Sequence, residues 1–355
     1  MKVIVLGAGV VGVATAYYLA RDGHQVSLVD RNQGAALEAS YANGGQLSYS
    51  YVAPLADPAV WPKLVPWLLS PSSPVRFRPQ LDARQWRWCL QFLAACRSLR
   101  SAETTRHLLR LGHASRRLMH ELLADDPALD FAHANSGKLV VYRDAAALES
   151  ARRQVDFQQR LVRDDDYRQE VLDRAACMAI EPALDGLRGE IVGGVHTASE
   201  DTADCYRFSG ELLDRILAAS PENRCFFATS INGLSVRQGE VVGVETSAGR
   251  LEADAYVLAA GCDSERLARR AGLSLPIYPL KGYSLTAPIS DPEAAPTLSV
   301  TDFQRKIVYA RLAGRLRVAG IADIGGYDGS IAPRRLATLL GEARGAFPGA
   351  ADYEQ

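Results

Sequence analysis

Lys2-Val3-Ile4-Val5-Leu6-Gly7-Ala8-Gly9-Val10-Val11-Gly12 opens the chain. Residues 2–6 form a short apolar run rich in β-branched side chains, the pattern of a buried strand. Gly7, Gly9 and Gly12 then fit G-x-G-x-x-G. Gly7 permits a tight turn, Gly9 lets the backbone approach a pyrophosphate, and Gly12 lets the next helix pack close on the strand. Residues 10–21 have helical composition and stop at Gly23, a natural C-cap. Residues 25–30 read as a second strand that ends in Asp30. A carboxylate there accepts hydrogen bonds from ribose hydroxyls and repels a 2′-phosphate. The phosphates of a dinucleotide would meet free N–H groups and the positive end of the helix dipole. Val3, Ile4, Val5, Leu6, Ala8, Val10 and Val11, with the three glycines, Asp30 and Arg31, are therefore the expected cofactor-binding residues.

Working outward, Ala16 and Gly23 extend the small-residue pattern, so that the first helix sits tightly on its sheet. This spacing resembles FAD-binding proteins more than NAD dehydrogenases. A later strand, Tyr256-Val257-Leu258-Ala259-Ala260-Gly261, ends in small residues that let the chain pass close beside a bound flavin nucleotide. Seven prolines between Pro54 and Pro79 forbid a long helix there. Residues 81–124 read as helical, with Trp86, Leu90, Leu93, Leu108, Leu111, Leu118 and Leu122 as core faces. Strands are expected at 137–143, 192–196, 224–228, 234–237, 241–246, 255–259, 278–287, 306–312 and 315–321, the last two as an antiparallel hairpin. Helices are expected at 144–163, 206–219 and 334–344. Alternating helices and strands early, and antiparallel strands late, predict an α/β chain: a Rossmann-like FAD-binding domain interrupted by an α+β substrate domain with a mainly antiparallel sheet. The expected division assigns 1–80, 196–272 and 325–355 to the first, and 81–195 and 273–324 to the second.

The chain has 355 residues, with 40 basic and 41 acidic side chains and a net charge of −1. That balance excludes a broad electrostatic grip on nucleic acid or anionic lipid. A hydrophobic share of 48% and a charged share of 23% are those of a globular chain. No run of eighteen apolar residues is present, and the N-terminal apolar run is broken by glycines, so neither a membrane span nor a signal peptide is expected. Six cysteines lie far apart without a C-x-x-C pair, which indicates neither a zinc site nor a redox pair. A cytoplasmic location follows as the expectation.

Three segments resemble D-amino acid dehydrogenases. They are Ser40-Tyr41-Ala42-Asn43-Gly44-Gly45-Gln46, Tyr278-Pro279-Leu280-Lys281-Gly282-Tyr283-Ser284-Leu285 and Arg317-Val318-Ala319-Gly320-Ile321-Ala322-Asp323-Ile324. The resemblance covers practically the whole chain, and its wider group includes D-amino acid oxidases, glycine oxidase and sarcosine oxidase. It implies FAD as cofactor and oxidation of a D-amino acid, such as D-alanine, to a 2-oxo acid and ammonia. Electrons would pass to a quinone or another respiratory acceptor. Ser40, Asn43, Gly45 and Gln46 would line the stretch from pyrophosphate to ring, and Ile231 would pack on adenine. Tyr51, Lys281, Tyr283, Tyr309 and Arg311 are the substrate-side candidates, since a buried cation with tyrosine hydroxyls suits a carboxylate. Lys281 stands out because lysine occurs only five times in the chain. A related amine oxidase acting on glycine, proline or hydroxyproline shares the same expectation of fold.

The family's W-x-G-L-R-P-like and G-H-G-x-x-G-W motifs do not occur here, so a fragment or an inactive homologue is a further expectation, with poor solubility and little activity. His107, His113 and His120 are spaced by six and seven, unlike helical zinc ligands, and read as a solvated helix face. So does the acidic run 164–166. Trp61, Leu64, Val65, Trp67, Leu68 and Leu69 form an apolar patch whose functional reading is peripheral contact with the membrane.

Overall fold

The computed structural model describes residues 1–63, 73–162, 167–187 and 189–354. The expected membrane patch, apart from Trp61, and the acidic run 164–166 lie outside the described residues. The chain divides into two compact units.

The first unit comprises Met1–Asn43, Leu129–Phe131 and Asp204–Tyr278. Its centre is a four-stranded parallel sheet. β1 (Lys2–Leu6) is flanked by Ala255–Leu258 and by β2 (Gln25–Val29), and Arg224–Phe226 lies beyond β2. Val3, Ile4, Val5 and Leu6 are all buried, because helix and strand layers cover both faces of a parallel sheet. Each such side chain contributes roughly 1.5–3 kcal/mol of burial. Helix α1 (Val10–Arg21) packs against helix Cys205–Ala219 and buries its Gly12, Val13 and Ala16. Asp204 caps that second helix by accepting the N–H groups of Tyr206 and Arg207, worth about 1 kcal/mol. An antiparallel meander, Ile231–Arg237, Glu240–Thr246 and Gly249–Leu251, packs Ile231, Leu234 and Val244 near Ile4, Leu6 and Val29. Ile231 thus sits in a core packing layer.

The second unit comprises Gly44–Ala128, Ala132–Ala203 and Pro279–Gln355. Its eight-stranded sheet runs Lys281–Pro288, Arg315–Ile324, Ile307–Leu312, Ser299–Asp302, Lys138–Tyr142, Gly193–Thr197 and Gln169–Asp173, with Val75–Phe77 also paired to Arg315–Ile324. All pairs are antiparallel except Ser299–Asp302 on Lys138–Tyr142 and Val75–Phe77 on its neighbour. The expected hairpin is present, Ile307 facing Gly320 and Leu312 facing Arg315.

The division differs from the expected one at five stretches, three of them short: 129–131 and 273–278 lie in the first unit and 196–203 in the second. Residues 44–80 belong to the second unit, because Gln46–Leu47 pairs with Asp201–Thr202 and Val75–Phe77 extends the large sheet. Residues 325–355 belong there too, because Leu339, Ala343 and Phe347 join Tyr309, Leu316 and Val318 in one core. The helical stretch expected over 81–124 is present as two helices, Ala83–Ala95 and Ser98–Asp125, with extended backbone at Arg97 and no Gly or Pro between them. Its expected core face is largely turned outward. Trp86, Leu90, Leu111 and Leu118 are exposed, whereas Gln85, Thr105, Leu109 and Leu122 are buried.

Candidate active site

The cradle in the first unit is built by backbone. Gly7 takes φ 106°, a conformation that favours glycine. A Cβ at Gly7 would lie 2.4 Å from the Ala259 carbonyl oxygen, and one at Gly12 would lie 1.9 Å from that of Gly7. Only hydrogen at these positions lets α1 and the strand Ala255–Leu258 close on the turn. Gly9 differs: a Cβ there would meet nothing nearer than Ser40 Oγ at 3.5 Å, so its front is open. Gly9 is the N-cap of α1 and supplies no side-chain cap. The Val10 N–H donates to Ser40 Oγ at 3.0 Å. Asp30 Oδ2 accepts the Ala8 N–H at 2.8 Å and Oδ1 accepts that of Asn32 at 2.9 Å. Each oxygen keeps lone-pair capacity for a ribose hydroxyl. An open helix N-terminus beside a carboxylate at the end of β2 fits the pyrophosphate and ribose of a dinucleotide. Arg31 stands next to it, paired with Glu38 and Asp263 at 2.9 and 2.7 Å. Ala260 and Gly261 follow the strand that touches Gly7, with Gly261 at φ 53°.

In the second unit the segment that begins at Gly45 and Gln46 is held by side chains from several elements. Gly45 has φ 65°. Lys138, 2% exposed, donates to Gln46 Oε1 at 2.7 Å and to Ser48 Oγ at 2.8 Å. Its ammonium also lies 4.4 Å from the centroid of the Tyr51 ring. Gln46 Nε2 donates to Ser299 Oγ at 2.5 Å. The Glu200 carboxylate accepts three successive N–H groups, from Tyr49, Ser50 and Tyr51, at 2.9, 2.6 and 3.1 Å. Burial lowers the Lys138 pKa to about 8, against the opposing pull of Glu200. Burial likewise holds Glu200 above the ordinary carboxylate value, although Lys138 and the three N–H groups pull it down. This segment is therefore pre-ordered rather than a loose loop.

The whole chain fits one family. The model of the FAD dependent oxidoreductase family (DAO) matches residues 2–355. The chain belongs to this family. Among its relatives, a D-amino acid dehydrogenase 2 of Ralstonia nicotianae is 48% identical over 354 residues, covering 99% of this chain and 82% of the relative. A D-amino acid dehydrogenase 2 of Pseudomonas aeruginosa is 45% identical, again over 99% of this chain and 82% of the relative. Among solved structures, a glycine oxidase from Geobacillus kaustophilus aligns with TM-score 0.73 at 19% identity, covering all of this chain and 80% of that one. An L-alpha-glycerophosphate oxidase from Mycoplasma pneumoniae with FAD bound aligns with TM-score 0.65 at 17% identity, covering 98% of this chain and 79% of that one. FAD is thus the dinucleotide for which the cradle is built.

Four of the five expected substrate-side residues have structural work in the second unit. Tyr309 is buried in the core against Phe347, its hydroxyl aimed at the Glu342 carbonyl. Arg311 donates to the carbonyls of Pro292, Ala295 and Pro296 and so clamps one loop. Lys281 donates to the carbonyls of Asp328 and Ser330 at 2.9 Å each. The Tyr283 hydroxyl donates to Asp323, a buried carboxylate also gripped by Arg76 and Arg335. Only Tyr51 presents a partly exposed ring beside a buried cation. Lys138 and Glu200, which order segment 46–51, were not among the expected residues. Lysine scarcity, the signal that singled out Lys281, applied equally to Lys138.

The histidines also depart from a solvated face. His107 is exposed, but His113 stacks on Tyr167 at 3.5 Å and His120 bonds Asp201. Among the described residues, no helix is long and apolar enough to cross a membrane.

Proposed function

We propose that this chain is an FAD-dependent dehydrogenase of D-amino acids, forming a 2-oxo acid and ammonia and passing the electrons to a quinone or a similar acceptor. The observation that carries the reading is 48% identity over 99% of the chain to a D-amino acid dehydrogenase 2, in a chain whose glycine cradle is open where a pyrophosphate would lie. Gly7, Gly9, Gly12, Asp30 and Ser40 would hold the nucleotide, and Asn43, Gly45 and Gln46 the stretch toward the ring. FAD, when bound, accepts the hydride that leaves Cα, and the resulting imino acid hydrolyses in water. The chain's share is to fix the carboxylate and hold the amine neutral against the acceptor. Tyr51 and the ammonium of Lys138 support a carboxylate contact, since the ammonium lies 4.4 Å from the Tyr51 ring centroid and is held beside the pre-ordered segment 46–51 by Ser48.

The test is anaerobic mixing of the purified flavoprotein with a panel of D- and L-amino acids, glycine and hydroxyproline, followed by dye reduction. Bleaching of the flavin by D-alanine or another D-amino acid, but not by its L-enantiomer, is expected. Bleaching only by glycine, by hydroxyproline or by L-amino acids overturns the substrate class.

A further inference from the structure

Three residues far apart in the sequence meet at one point of the second unit. His120 lies on helix Ser98–Asp125, His133 in the segment before strand Lys138–Tyr142, and Asp201 in the short strand Asp201–Thr202. His120 Nε2 is 2.9 Å and His133 Nε2 is 3.2 Å from the same oxygen, Asp201 Oδ2. One ligand atom from each residue falls within 4.8 Å of the others. The Tyr49 hydroxyl donates to that oxygen as well, at 3.0 Å. Asp201 is 1% exposed, yet its Oδ1 has no hydrogen-bond partner among the described residues.

A carboxylate serving only as an acceptor gains most by sharing its donors between both oxygens. Here three groups crowd one oxygen while the other meets no partner among the described residues, at a cost of roughly 1–3 kcal/mol for an unsatisfied buried group. Crowding of this kind is the collapsed form of a metal site. Around a tetrahedral ion with bonds of about 2.0–2.2 Å, neighbouring ligand atoms stand about 3.3–3.6 Å apart. The two nitrogen-to-oxygen separations, 2.9 and 3.2 Å, are slightly under that spacing, and the two imidazole nitrogens lie within 4.8 Å of each other, so a tilt of both rings brings the set around one ion. Two imidazoles and a carboxylate are a donor set that divalent first-row metals accept.

We propose that His120, His133 and Asp201 bind a divalent first-row metal ion of the Zn²⁺ class. His133 and Asp201 wall the ion from solvent, while the His120 side chain is 34% exposed. Beside His120 a pocket of about 420 Å³ is lined by Arg116, Arg117, Glu121 and Tyr167. It supplies the fourth position to a water molecule, since Arg117 is paired there with Glu121 and Arg116 donates to the Ser199 carbonyl. Tyr49 holds the ligating carboxylate from behind, an outer-shell role. The ion ties helix Ser98–Asp125 to the strand next to Glu200, the residue that pins Tyr49, Ser50 and Tyr51. The site is independent of the reaction proposed above.

The experiment uses the untagged, chelator-treated flavoprotein, titrated with Zn²⁺ by calorimetry and with Co²⁺ by visible absorption. One ion per chain with a Kd below ~1 μM is expected, together with the d–d bands of a four-coordinate Co²⁺ complex and a rise in Tm that excess chelator reverses. His120→Gln and His133→Gln retain an amide donor for Asp201, so a purely hydrogen-bonding role survives them. A metal site does not, and each variant should weaken Zn²⁺ by about tenfold or more with flavin content unchanged. Less than half an ion per chain at saturating micromolar Zn²⁺, or affinity unaltered in both variants, overturns the proposal.

Discussion

The glycine cradle and the polar site around Glu200 and Asp201 are built in opposite ways. The cradle takes its shape from backbone, within residues 7–12 and one carboxylate at the end of the next strand. The second site takes its shape from side chains contributed by residues 46–51, 120, 133, 138 and 200–201. A backbone-built site tolerates little change at the glycines, because no rotamer can move out of the way. A side-chain-built site responds to charge, because its members were taken out of water together.

The largest expected effect is at Gly9→Val. Its side chain would occupy the open front of the turn without the backbone clash expected at Gly12. Flavin retention should be abolished, a loss of more than about a thousandfold in affinity or over about 4 kcal/mol, while the far-ultraviolet circular dichroism is retained. Yellow protein with normal stoichiometry would break the contrast at its first term. Next comes Glu200→Gln, which leaves the buried Lys138 ammonium without its opposing charge and weakens three N–H bonds. A loss of about 3 kcal/mol is expected from urea unfolding, roughly 1 kcal/mol for each of three hydrogen bonds that pass from a charged to a neutral acceptor. A loss under about 1 kcal/mol would mean that Lys138 sheds its proton and that charge is not what orders the segment.

Asp30→Ala should weaken FAD by about 1.5–3 kcal/mol, the range for hydrogen bonds to a charged group, read by flavin fluorescence titration. Unchanged affinity would place the ribose contact elsewhere. The smallest effect is a pH dependence. Lys138 titrates near 8 in the folded chain against an ordinary value of 10.5. Between those values the unfolded chain holds more protons, so stability relative to Lys138→Met should rise as pH increases from about 8 to about 10.5. A difference that is flat or falls across that window would show that Lys138 is not deprotonated early by burial.

Two buried carboxylates within the second unit extend the lesson. Asp323 spreads its donors over both oxygens, with Arg335 and Arg76 Nε on Oδ1, and Tyr283 and Arg76 Nη2 on Oδ2. Asp201 loads one oxygen and leaves the other without a partner. Both carboxylates are held below their ordinary pKa. Burial acts to raise each, and is outweighed by the Arg76, Arg335 and Tyr283 contacts at Asp323, and by the His133, His120 and Tyr49 hydrogen bonds at Asp201. Permanent guanidinium charges in fork geometry make a lock for the fold. Imidazoles, which exchange a proton for a metal, make a site.

Residues 2–30 alone decided the parallel sheet, the turn at Gly7–Gly12 and the carboxylate of Asp30, because these depend on short-range backbone geometry and on an unbroken apolar strand. The antiparallel hairpin was legible for the same reason, as two strand-like runs, 306–312 and 315–321, separated by only two residues. The same local signals could not say which side chains of 81–124 face inward, since amphipathic spacing marks a stripe and not its partner. Nor did residue type separate Tyr309 and Arg311, whose polar tips are spent on carbonyls, from Lys138 and Asp201. That choice was made only in three dimensions. Strand register puts Lys138 opposite Ser299, next to Gln46, and packing carries two histidines to one aspartate, because buried polar groups must find partners wherever the fold brings them.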